Sequence, residues 1–266
     1  MPFIKEENLK KTSIKGKVDN WPTDTIYFAS LPFHSPYSTF EGFHILKQDK
    51  TFKFAFDQAD KPFILLLTPE KRFLDHRNFL LFESFTPEYY QGYCKNFFTM
   101  PMTTYLIEPG TETIVELSKT TRYGHTEIRF LNENAYNSTY YQSTFDLDQK
   151  FDEVISSSES LDEAVEHMIK KEEDLLESLE KERDYISPFV YNYTKAEIKF
   201  GAKKELLRFL LIDHPEIIST FIQNETLEIV EKRIDFDGEN IDYATIISQE
   251  YNEFLELYIN LKYSAK

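Results

Sequence analysis

One cysteine, six histidines and 46 acidic side chains are the groups in this 266-residue chain best suited to act as nucleophiles, ligands or acid–base catalysts. A reactive thiolate needs a base or a cation beside it. Cys94 has Tyr93 on one side and Lys95-Asn96 on the other, so Lys95 alone among these neighbours could lower its pKa, and a plain packed cysteine is the simpler reading. With no second thiol, it can form neither an internal disulfide nor a Cys-x-x-Cys pair. His34, His44, His76, His125, His167 and His214 fall at no metal-ligand spacing such as i, i+4, and read as surface or turn residues. Asp235-Phe236-Asp237-Gly238-Glu239-Asn240-Ile241-Asp242 has the look of part of a calcium loop. With Gly238 at the central glycine, however, Arg233 takes the first ligand position and Ala244 the last. Neither can coordinate, so the segment reads as a solvated turn. Serine nucleophile elbows, phosphate-binding loops and dinucleotide fingerprints are absent. Chance carboxylate pairs are inevitable among so many acids, and nothing in the sequence selects one. No catalytic, cofactor-binding or metal-ligating residue is therefore assigned, and the chain reads as non-enzymatic with no cofactor.

The elements that would position any site fall into two kinds. Over residues 12–130 the apolar pattern has period two. Ile14, Gly16 and Val18 alternate with Lys15 and Lys17, and a turn follows at Asn20-Trp21-Pro22-Thr23-Asp24. Thr25-Ile26-Tyr27-Phe28-Ala29 is the next strand. Phe43 and Ile45 lead into an expected hairpin at Gln48-Asp49-Lys50, after which Phe52, Phe54 and Phe56 line one face. Phe63-Ile64-Leu65-Leu66-Leu67 is a continuous apolar run, suited to a strand covered on both faces. Two further runs hinge on Glu108-Pro109-Gly110-Thr111, where Pro109 and Gly110 suit the central positions of a type II turn. Ile128 and Phe130 then share a face before a polar, Asn-rich exit. This pattern predicts an antiparallel β-sandwich or partly open barrel over 1–142. It is interrupted by an aromatic-rich insert at about 68–101. The insert reads first as a cover over an open end of the sheet. The alternative is a partner-binding surface built from Phe79, Phe82, Phe85, Tyr89, Tyr90, Tyr93, Phe97 and Phe98.

Residues 143–266 read as helical, which makes the fold class α+β: a β-domain, then a helical hairpin and further helices. Ser160-Leu161-Asp162-Glu163 fits a capping box. Leu161, Val165, Met168, Ile169, Leu175, Leu176 and Leu179 recur near helical spacing, and Glu172-Glu173-Asp174 belong to the wet face. Ser187-Pro188 starts a second helix, with a stripe of Phe189, Val190, Tyr193, Ala196, Phe200, Leu207, Leu210 and Leu211, ending at His214-Pro215. Two more helices are expected over 215–233 and 243–263.

Composition bounds the partners. Thirty basic against 46 acidic side chains give a net charge of −16, which repels phosphate backbones and argues against nucleic acid. No segment is apolar for long enough to span a bilayer, and the N-terminus lacks the apolar region of a secretory signal. Aromatic residues make up 16%, and Trp21, Tyr89, Tyr90, Tyr140 and Tyr141 are candidates for stacking on sugar rings.

Read in order, Ile14–Asn20 (IKGKVDN), Asp24–Tyr27, Asp49–Phe56, Tyr105–Leu117 and the set Ile128, Phe130, Ala135, Asn137 and Tyr140 form a recognisable series. With Phe189, Tyr193, Ala196, Glu197 and Phe200, the series resembles the N-terminal region of extracytoplasmic thiol–disulfide oxidoreductases of the TlpA/ResA-like thioredoxin group. Lys50 stands where that pattern has glycine, and the glycines usual around Leu131–Asn134 are missing. The resemblance implies a cell-envelope or periplasmic setting; a complete chain without a leader would instead be cytoplasmic. It also implies an accessory region preceding a thioredoxin domain, which would begin where this sequence stops at Lys266. Without that domain's dithiol no redox chemistry carries over. The expected function is a non-catalytic module that positions a protein partner, or a C-terminal thioredoxin-like domain, or mediates assembly. The alternative is a β-sandwich that binds carbohydrate or another small ligand.

Overall fold

Alternation of apolar and polar side chains sets the strands of the first half. The computed structural model describes residues 12–31, 41–56, 61–68, 103–119, 126–131, 135–142, 147–158, 160–209, 232 and 241–264. The 68–101 insert with Cys94, the 235–240 part of the calcium-like loop and nearly all of the helix expected over 215–233 lie outside the described residues. The protein is α+β, and its chain divides into two compact units, 1–139 and 140–266.

The first unit holds β1 (Thr12–Asp19), β2 (Thr25–Leu31), β3 (Glu41–Ile45), β4 (Thr51–Phe56), β5 (Phe63–Thr68), β6 (Thr103–Ile107), β7 (Glu112–Lys119) and β8 (Thr126–Phe130). They form two four-stranded sheets, β4-β1-β7-β8 and β3-β2-β5-β6. Both sheets send side chains into one core: Ile14 and Val18 of β1, Phe52, Phe54 and Phe56 of β4, Leu65 and Leu67 of β5, and Val115 and Leu117 of β7. Rings meet across the sheets, with Phe28 of β2 4.3 Å from Phe54 of β4 and Tyr105 of β6 6.2 Å from Phe130 of β8. All of Ile64, Leu65, Leu66 and Leu67 are buried, as expected of a strand covered on both faces.

Two pairings differ from the expectation. The turn at Gln48-Asp49-Lys50 exists but closes no hairpin: β3 pairs with β2, whereas β4 pairs with β1 in the other sheet. Lys50 adopts φ 60° and its carbonyl accepts the Val18 amide at 3.0 Å. That left-handed residue rotates the chain out of one sheet and delivers it to β1. The second difference is that β1 and β7 run parallel, among otherwise antiparallel pairs. The chain leaves β6 through the Glu108–Thr111 turn, in which Gly110 takes φ 74° and the Thr111 amide reaches the Glu108 carbonyl at 3.3 Å. This turn is latched to the start of β1. The Gly110 amide donates to Thr12 Oγ1 at 2.9 Å, and the Ser13 amide donates to the Thr111 carbonyl at 3.0 Å. So β7 starts beside the start of β1 and must run the same way.

A left-handed conformation costs a non-glycine residue roughly 1–2 kcal/mol, partly offset in a glycine variant by a looser unfolded chain. Lys50→Gly is therefore expected to stabilise the first unit by about 0.5–1 kcal/mol. Urea unfolding followed by the fluorescence of Trp21, the sole tryptophan and a buried one, checks this. A lowered midpoint would refute the role given to that backbone angle.

In the second unit α1 (Ala135–Gln142), on which the division falls, and α2 (Leu147–Ser156) precede α3 (Leu161–Glu182) and α4 (Pro188–Arg208). Ser160 Oγ accepts from the Glu163 amide at 3.3 Å, and Ser187 Oγ accepts from the Val190 amide at 3.2 Å with Pro188 in the first turn. Both helix starts match the sequence reading. The helix expected over 243–263 is instead two, α5 (Tyr243–Ile246) and α6 (Gln249–Ser264). The buried Ser248 hydroxyl accepts the Tyr251 amide at 3.2 Å and so begins a new helix. α4 is the hub, packing on α2, α3, α5 and α6. No described helix is long and apolar enough to cross a membrane.

The charge is segregated along the sequence. Residues 1–139 carry 16 basic and 17 acidic side chains, and residues 140–266 carry 14 and 29, for net charges of −1 and −15.

Candidate functional site

The first candidate is a buried cluster of charge between α4 and α6. α4 is buried on nearly every side from Tyr193 to Leu207, so its Glu197, Lys203, Lys204 and Glu205 are enclosed with its apolar residues. Lys204 Nζ lies 2.7 Å from Glu250 Oε2, 3.0 Å from Glu253 Oε2 and 3.5 Å from Glu205 Oε1. Glu205 also faces Arg208 at 3.5 Å. The Glu250 amide donates to Glu197 Oε1 at 3.4 Å. Lys203 instead sits over the rings of Phe200 and Phe254, at 5.3 and 5.9 Å. Burial, followed by the charge of Glu197, holds the Tyr193 phenol well above its usual range, so it stays protonated. Burial and then the charge of Glu253 raise the Glu256 carboxyl.

This arrangement ties α4 to α6. An ammonium gripped by three carboxylates donates hydrogen bonds and has no lone pair to attack with. Glu250 and Glu253 face Lys204, Glu205 faces both Lys204 and Arg208, and the nearby Glu197 carboxylate accepts the Glu250 amide. Among the described residues no group of three or more His, Cys, Asp or Glu side chains is disposed to hold a metal ion.

The second candidate is the edge of β3 that faces no described strand. Its ladder to β2 continues one residue past the strand, where the Leu46 amide donates to the Asp24 carbonyl at 2.8 Å. In an antiparallel ladder alternate residues turn both backbone groups to the same neighbour. Gly42, His44 and Leu46 therefore bond toward β2, and Phe43 and Ile45 turn N–H and C=O to the other side. No described strand lies there. Side chains alternate as well. Gly42 sits against the Phe28 ring, where a Cβ would come within 2.7 Å, and the His44 ring meets Phe54 edge-on at 5.8 Å. Phe43 and Ile45 point outward, 64% and 63% exposed, with Tyr27 6.0 Å from Phe43. An apolar, unpaired strand edge is a template for another strand.

Other residues singled out in the sequence are placed as follows. Trp21 and Tyr141 are buried, and Trp21 Nε1 donates to the Thr25 carbonyl at 3.0 Å, so neither presents a face for a sugar. Tyr140 is half-buried. Tyr89 and Tyr90 fall outside the described residues, as do the other insert aromatics and His34, His76, His125 and His214. His167 lies 4.0 Å from Glu163 one turn away on α3. Asp242, from the calcium-like segment, caps α5 by accepting from the Thr245 amide at 2.8 Å. Asn137, from the resemblance series, donates to Glu108 Oε2 at 3.5 Å within the first unit.

Sequence reasoning missed both candidates. The signal for the first was a charged triplet, Lys203-Lys204-Glu205, set between Phe200 and Leu206-Leu207, opposite Glu250 and Glu253 at i, i+3. The signal for the second was Gly42 alternating with Phe43, which leaves the inner position empty and the outer one apolar. Comparison with family models, curated proteins and solved structures found no match to the chain.

Proposed function

We propose that this protein is a non-catalytic interaction module: a β-sandwich joined to a helical unit, akin to the accessory region of a thioredoxin-like thiol–disulfide oxidoreductase of the cell envelope. Its work is to hold a protein partner or mediate assembly. The observation that carries this reading is the edge of β3 that no described strand covers, with Phe43 and Ile45 exposed beside Tyr27 and their backbone groups turned outward. The Lys204 cluster supports it from the other side, since its ammonium and carboxylates contact one another between two helices.

Two measurements on the full chain test the proposal. Added protein is expected to leave the rate of insulin reduction by dithiothreitol unchanged. In dilute protein the Phe43 and Ile45 amides are expected to exchange with deuterium quickly, while those of Gly42 and His44, bonded to β2, exchange slowly. Acceleration of insulin reduction, or protection of Phe43 and Ile45 at high dilution, would end this reading.

A further inference from the structure

We draw no further inference here: the strongest candidate, the edge of β3 that carries the exposed Phe43 and Ile45, carries nothing beyond the reading already proposed, because nothing in the structure shows what covers it.

Discussion

Lys204→Met is expected to destabilise the helical unit by about 3–5 kcal/mol, the effect of leaving buried carboxylates without their cation. Glu250 and Glu205 are both nearly inaccessible to solvent, and Lys204 lies between them at 2.7 and 3.5 Å. Methionine fills much the same space, so the loss is electrostatic rather than a cavity. The side chains left behind must either find a proton or separate α6 from α4. Adding Glu250→Gln to Lys204→Met removes one orphaned charge and is expected to recover a substantial part of the loss. Urea unfolding followed by circular dichroism at 222 nm reads both, since the signal there is dominated by helix. A Lys204→Met midpoint equal to that of the parent would mean the cluster contributes nothing to holding α6.

Gly16→Ala is expected to cost the β unit about 3 kcal/mol, at the upper end for inserting one methyl into a packed interior. A Cβ at this position would overlap the Val115 carbonyl oxygen and stand 2.8 Å from Val115 Cγ2 and 3.1 Å from the Phe52 ring. The carbonyl is main chain in the neighbouring parallel strand, so no rotamer change clears it. Relief requires β1 and β7 to move apart, which breaks the parallel ladder between them. Trp21 fluorescence during urea unfolding reports this directly. A shift below 1 kcal/mol would show that the strands are less closely apposed than described.

The same two residues mark the boundary of what was legible in the sequence. Period-two alternation located the strands, because a pleated strand over one core must alternate: Phe52, Phe54 and Phe56 are all buried and Lys53 is not. The serine caps of α3 and α4 were legible because capping chemistry is local. Which strand pairs with which was not. A turn such as Gln48-Asp49-Lys50 has one composition whether it closes a hairpin or carries the chain between sheets, and only the distant amide of Val18 decides. Gly16 gave the same ambiguous signal, since its need to be glycine arises from Val115, ninety-nine positions away. The helix α1 was not legible, because Ala135–Gln142 is polar and rich in Asn, Ser and Tyr, so its pattern reads as loop. The charged cluster was invisible because lysine and glutamate on a helix are ordinarily solvated. Only the burial of α4 on nearly all sides turns them inward.

The uneven distribution of acid between the halves makes ionic strength a selective dial. Fifteen excess negative charges crowd residues 140–266, so their mutual repulsion is what added salt relieves, over a screening distance of roughly 10 Å at 0.1 M. The nearly neutral half has little to gain. A cationic surface, resin or polyamine would accordingly take hold of this molecule by its helices and leave the strands at liberty.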